Sequence, residues 1–144
     1  MIDIGPDEIE RYRSEGYLPL GSVLDEDERG ALLAAERRFR DASPFGTSTG
    51  LVVTEQLEHM SSALRRFCCE GRHLDAVEVL LGPDFALTHN QFIVKLPGTS
   101  SATSDIPLHQ DNGYGRLEPP QDITVWVALT DTTTENGCLV VAPR

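Results

Sequence analysis

The chain has 144 residues, the length of one ordinary domain, and 40% of them are hydrophobic, enough for a packed core rather than a disordered tail. Twelve Lys and Arg against twenty-three Asp and Glu leave a net charge of −11, which repels phosphate backbones and anionic lipid and speaks against nucleic acid or a membrane as partner. Cys68, Cys69 and Cys138 are odd in number with two adjacent, a poor disulfide framework and a better fit to thiols in a reducing cytoplasm.

The opening "MIDIGPDEIERY" lacks the basic and apolar regions of a secretory signal, and no apolar run approaches the ~18 residues of a membrane span. The expected setting is soluble and cytoplasmic. A short helix is predicted over 8–15, with Pro6 near its start and Gly16 just past its end. A second is predicted over 26–40. Asp25 caps it and Glu28, three residues on, completes a capping box. Its inner stripe, Leu32, Ala35, Glu36 and Phe39, is apolar in three places out of four, so the face is core-directed with one misfit. "TSTGLVVTEQ", residues 47–56, reads equally as a short strand or a loop. Met60, Leu64, Phe67 and Cys68 recur at helical spacing, and so do Leu74, Val77 and Leu81 in a helix over 73–81 that Gly82-Pro83 ends.

After Pro83 the period falls from about 3.6 to 2. Extended structure is predicted over 84–95, 106–110, 122–131 and 138–142. In the first run Phe92 and Val94 face one way and Gln91, Ile93 and Lys95 the other. In the third, Ile123, Val125, Val127 and Leu129 share one face and Thr124, Trp126, Ala128 and Thr130 the opposite one. Asn136-Gly137 is a turn signal. Helices over 1–83 and strands over 84–144 give one α+β domain. Four short strands cannot close a sandwich or barrel, so the strand part reads as incomplete at the C-terminus.

"PLHQDN" carries the chemistry. Alternation along a strand puts His109 and Asp111 on one face, where imidazole and carboxylate together suit a divalent ion such as iron(II). A second histidine from elsewhere would complete a facial triad and leave open positions. By itself the pair reads as a surface hydrogen-bonded couple, and a bare His-x-Asp is a weak signal.

The surrounding stretches sharpen it. "NQFIVKLPGTSSATSDIPLHQDNGYG" resembles the core motif of the phytanoyl-CoA dioxygenase family: a strand ending in Lys, Pro-Gly, a loop, then His-Gln-Asp. "ITVWVALTDTTTENGCLVVAPR" is similar to that family's next segment, and "GYLPLGSVLDEDERGALLAAE" to its opening. The resemblance implies N-terminal helices packed on a double-stranded β-helix, a cupin-like jelly-roll. It also implies an iron(II)- and 2-oxoglutarate-dependent oxygenase that uses molecular oxygen to hydroxylate a small-molecule substrate. Carried over residue by residue, His109 and Asp111 match two iron ligands. Lys95 matches a position that approaches the cosubstrate carboxylate, and Trp126 an aromatic position beside it. Gln91 shares the face of Lys95 and is a further candidate for 2-oxoglutarate. No catalytic residue beyond the metal ligands is implied. His89 has the parity of Gln91 and reads as a hydrogen-bonded strand residue rather than a ligand. Asp111 fills the place that related halogenases leave for halide, so hydroxylation is the implied outcome.

One departure stands out. The histidines are His59, His73, His89 and His109, so none follows Asp111, and Arg144 ends the chain before the family's second iron histidine and its 2-oxoglutarate-gripping arginine can be placed. The expectation is a truncated, cleaved or partial chain. Two other readings stay open: a non-catalytic jelly-roll binding or assembly module, and a hydrolytic zinc site at the same pair, which the lack of a further paired histidine disfavours. Residues 99–105 and 114–121 are expected to border the mouth, with Arg116 as a receiver for an anionic substrate.

Overall fold

A computed structural model describes residues 2–42, 50–98, 106–111 and 121–144. Four helices and a two-stranded antiparallel sheet appear in the order α1 (Pro6–Glu15), α2 (Glu26–Ala42), β1 (Leu51–Glu55), a 3-10 turn (Leu57–His59), α3 (Ser62–Glu70), α4 (His73–Leu81) and β2 (Gln91–Lys95). No helix among the described residues is long and apolar enough to cross a membrane.

Helix boundaries follow their caps. Gly16 ends α1 in the left-handed region, φ 84°, with its N–H donating to Tyr12 O at 2.8 Å. At α2 the expected capping box is complete: Glu28 N–H donates to Asp25 Oδ1 and Asp25 N–H to Glu28 Oε2, each at 2.8 Å. That backbone bond, and then the Arg72 guanidinium at 2.7 Å, hold the Glu28 carboxyl below its ordinary range. Ser61 caps α3 by accepting from Leu64 N–H at 3.2 Å. Met60 therefore lies ahead of α3 rather than in it.

The core is one cluster of Leu32, Ala35, Leu57, Leu64, Cys68 and Phe92, with Leu24, Phe39, Met60, Phe67 and Leu129 packed on its rim. It joins α2, the 3-10 turn, α3 and β2. The misfit on the α2 stripe is resolved within the helix: buried Glu36 accepts from Arg40 Nε at 2.8 Å, one turn on. Burial in this cluster pushes the Cys68 thiol up to about 11, with the neighbouring Cys69 and Glu58 adding to the effect. His73, at the first position of α4, is buried against the Phe67 ring at a centroid distance of 4.7 Å, and its Nδ1 has no partner among the described residues. Burial lowers its pKa, with Asp75 opposing.

The strands differ from the sequence expectation. β1 and β2 pair in register from Leu51–Lys95 to Glu55–Gln91, so the ambiguous 47–56 stretch supplies a strand in its described part. The ladder is closed at its ends by Leu96 N–H to Gly50 O and Gln56 N–H to Asn90 O. Of the predicted run 84–95, only 91–95 is a strand. Asn90 stops it by turning its side chain to the 3-10 turn, accepting from Leu57 N–H and donating to Glu58, both at 2.6 Å. Residues 106–110, 122–131 and 138–142 join no ladder among the described residues. Burial in 123–129 nevertheless alternates as read from the sequence: Ile123, Val125, Val127 and Leu129 are half-buried, Thr124, Trp126 and Ala128 exposed. Side-chain periodicity reports which face is covered. A strand also needs a neighbour for its backbone, and among the described residues these segments pair with none.

Two outcomes follow. Leu64 is 0% exposed, so Leu64→Ala should cost about 2–5 kcal/mol in urea unfolding. Because the His73 pKa is depressed on folding, the unfolded chain takes up more protons below its ordinary 6.5. Stability should therefore be full above about pH 6.5 and decline as pH falls below that value. His73→Phe should flatten that decline in melts taken across pH 5–7.5, leaving only the carboxylate loss at more acid pH.

Candidate metal centre

His109 and Asp111 meet through their side chains, not through a strand ladder. Both lie outside any helix or strand longer than a turn. His109 Nε2 stands 3.1 Å from Asp111 Oδ1. His109 Nδ1 stands 2.7 Å from Pro107 O. A carbonyl oxygen only accepts, so Nδ1 carries a proton, and in the neutral ring the lone pair is on Nε2. Nε2 then faces a carboxylate oxygen with lone pair against lone pair. A cation placed between Nε2 and Oδ1 would accept both lone pairs. His109 Nε2 and Asp111 Oδ1, 3.1 Å apart, would hold a divalent cation between them, and an imidazole–carboxylate donor set suits iron(II). The backbone carbonyl behind the ring is the kind of outer partner that fixes a ligating histidine.

The other carboxylate oxygen is also occupied. Thr124 Oγ1 donates to Asp111 Oδ2 at 2.5 Å, across thirteen residues of sequence. Sequence reading gave Thr124 no role. Its one signal was parity, which put Thr124 on the face of Trp126. That face is set from behind: Leu129 packs on the core rim and its carbonyl accepts from Arg29 Nη1 of α2 at 2.9 Å. Trp126 lies two residues beyond Thr124 on the same exposed side and is 45% exposed.

Lys95 ends β2 on the face turned away from Phe92, as parity required. Its side chain runs over the Asn136-Gly137 turn, where an added Cβ at Gly137 would stand 2.6 Å from Nζ and 2.7 Å from Cδ. Gly137 holds φ 84°, so that turn needs glycine for its backbone. Gln91, at the other end of β2, has Oε1 3.3 Å from His89 Nε2, and His89, expected as a hydrogen-bonded strand residue, lies exposed just before the strand. Arg116 and the two loops expected at the mouth, 99–105 and 114–121, lie outside the described residues, apart from exposed Gln121.

No third His, Cys, Asp or Glu joins the pair among the described residues. The pair is also open to solvent, with side chains 34% and 51% exposed. The larger cavity found, about 390 Å³, is a groove between α2 and α3 floored by Leu32 and Phe67, away from His109. Chemistry of the donor set, not enclosure, singles out the His109–Asp111 pair.

A family model described as phytanoyl-CoA dioxygenase (PhyH) matches residues 12–144. The chain is 38% identical over 148 residues to the peroxisomal phytanoyl-CoA dioxygenase of Mus musculus, covering 97% of this chain and 41% of that protein. It is 32% identical over 150 residues to the Rattus norvegicus counterpart, covering 92% and 44%. To dioxygenase lolE1 of Epichloe uncinata it is 26% identical over 157 residues, covering 97% and 58%. The chain thus spans less than half the length of these two rodent proteins. No solved structure gives a significant match. With a match that runs from Tyr12 to Arg144 and takes in Lys95, His109 and Asp111 alike, the chain belongs to the phytanoyl-CoA dioxygenase family.

Proposed function

We propose that the protein acts in an iron(II)- and 2-oxoglutarate-dependent oxygenase that hydroxylates a C–H bond of a small organic substrate, with molecular oxygen as co-reactant. The observation that carries this reading is the donor pair: an imidazole nitrogen whose lone pair is fixed by the Pro107 carbonyl, 3.1 Å from a carboxylate oxygen, in a chain of this family. His109 and Asp111 would hold the metal. When bound, iron(II) with 2-oxoglutarate supplies the oxygen activation that no amino-acid side chain provides. The protein's own share is positioning. Lys95 presents an ammonium to a cosubstrate carboxylate, Trp126 offers a flat apolar wall, and Gln91 an amide for hydrogen bonding. The framework we propose is the family's double-stranded β-helix, with α2 and α3 bracing β2 from outside.

Support comes from direction as well as identity. Gln91, Ile93 and Lys95 all turn away from the helical core, which Phe92 enters on the other face. In an acidic chain, Lys95 gives an anionic cosubstrate a local cation. The three free thiols suit a reducing compartment such as the cytoplasm.

A binding or assembly module is the second reading, favoured by the presence of only two donors at the pair among the described residues. Metal titration separates the two. Iron(II) added anaerobically to the protein should bind weakly at one site, and His109→Ala or Asp111→Ala should each abolish that binding. A longer chain that brings a third ligand should add a charge-transfer band with 2-oxoglutarate and release succinate. Binding unchanged in both alanine variants would leave the module reading.

The lysine is tested by a split in kinetic constants. In an active form, Lys95→Ala should raise the half-saturating 2-oxoglutarate concentration about 10-fold or more, while the rate at saturation changes less. An unchanged half-saturation would make Lys95 a solvated strand-end residue.

A further inference from the structure

Asp111 has two carboxylate oxygens, and they are treated differently. Oδ1 faces His109 Nε2 at 3.1 Å, and Oδ2 accepts the Thr124 hydroxyl at 2.5 Å. An ionised carboxylate only accepts, so the threonine is the donor, and 2.5 Å is at the short end for a hydroxyl bonded to a charged oxygen. We infer that Thr124 is the positioning residue of the pair: it ties down Oδ2, fixes the rotation of the carboxylate, and leaves Oδ1 to serve a divalent cation beside His109. This deepens the metal reading above and rests on it.

Three features let Thr124 do this. Its branched Cβ leaves few side-chain rotamers, so the hydroxyl's direction is largely set by the backbone. The backbone is set by the opposite face, where Ile123 and Val125 are half-buried and Leu129 is anchored on the core and on Arg29. Thr124 itself is exposed, so its hydroxyl is not needed to fill the core. The consequence is chemical. A carboxylate free to rotate can chelate a cation through both oxygens and use two coordination positions. With Oδ2 engaged by a hydroxyl, binding through Oδ1 alone is favoured, and a position stays open for a cosubstrate or oxygen. Orientation is also settled before metal arrives, so less rotational freedom is lost on binding. Outer partners of metal ligands typically change metal affinity 10–100-fold when removed.

The test uses the whole chain and manganese(II), read by the loss of the free-ion electron paramagnetic resonance signal. Thr124→Val keeps the shape and removes the donor. Thr124→Ala removes it without the added methyl, so a packing effect of valine cannot mimic the result. Both should weaken manganese(II) binding about 10–100-fold, or abolish it, with unchanged thermal melting of the metal-free protein. Thr124→Ser, which restores the hydroxyl, should bind within about 3-fold of the parent, well short of that loss. Asp111→Ala should show no site. If both hydroxyl-free variants bind like the parent while Asp111→Ala does not bind, Thr124 has no positioning role and the metal reading stands. If the parent and Asp111→Ala behave alike, the metal reading fails and the inference with it. Serine failing to rescue would also overturn the hydroxyl's part.

Discussion

Phe92 turned into the helical core is the contact on which the rest of the arrangement hangs. It shares that core with Leu32 of α2, Leu57 and Leu64, and it is the only β2 side chain buried to this degree. Because strand side chains alternate, its commitment inward forces Gln91, Ile93 and Lys95 outward. Pairing with β1 carries the same parity across the sheet, so Leu51, Val53 and Glu55 share the outward face. A slip of one residue would place Lys95 in the core and Phe92 in water. The outward face of β2 is thus an energetic by-product of burying one aromatic ring.

A second anchor does for the later segment what Phe92 does for the sheet. Residues 123–129 have no ladder to set their rotation among the described residues, yet their faces are well separated. Leu129 in the core rim and Arg29 on its carbonyl provide the hold. Arg29 also pairs with Glu26 in the first turn of α2, so a short N-terminal salt bridge and a distant backbone carbonyl are served by one guanidinium. Helix α2 therefore positions parts of the chain a hundred residues apart.

Sequence reading succeeded where structure is local. Asp25 and Glu28, Pro6 and Gly16, and Gly82 announce helix ends because caps act over three or four residues. Parity at 91–95 and 123–129 was legible for the same reason. Pairing was not. The runs at 106–110, 122–131 and 138–142 have strand composition, but a ladder is a property of two segments, and composition describes one. His109 and Asp111 were legible as a motif, and they converge without the strand that was expected to bring them together. Thr124 was out of reach because its bond to Asp111 spans thirteen residues and depends on how the intervening chain turns. His73 gave no sign either: a histidine at a helix start looks polar, and only the packing of Phe67 over it reveals a neutral, buried ring.

The passage of Lys95 over Gly137 has a consequence for entropy. A free lysine side chain samples many rotamers, and fixing it costs up to about 2 kcal/mol. The bare backbone of Gly137 leaves room for the stem to lie over the turn, and a Cβ there would push the lysine into other rotamers. A turn glycine 42 residues away in sequence thus decides which rotamers are open to the lysine.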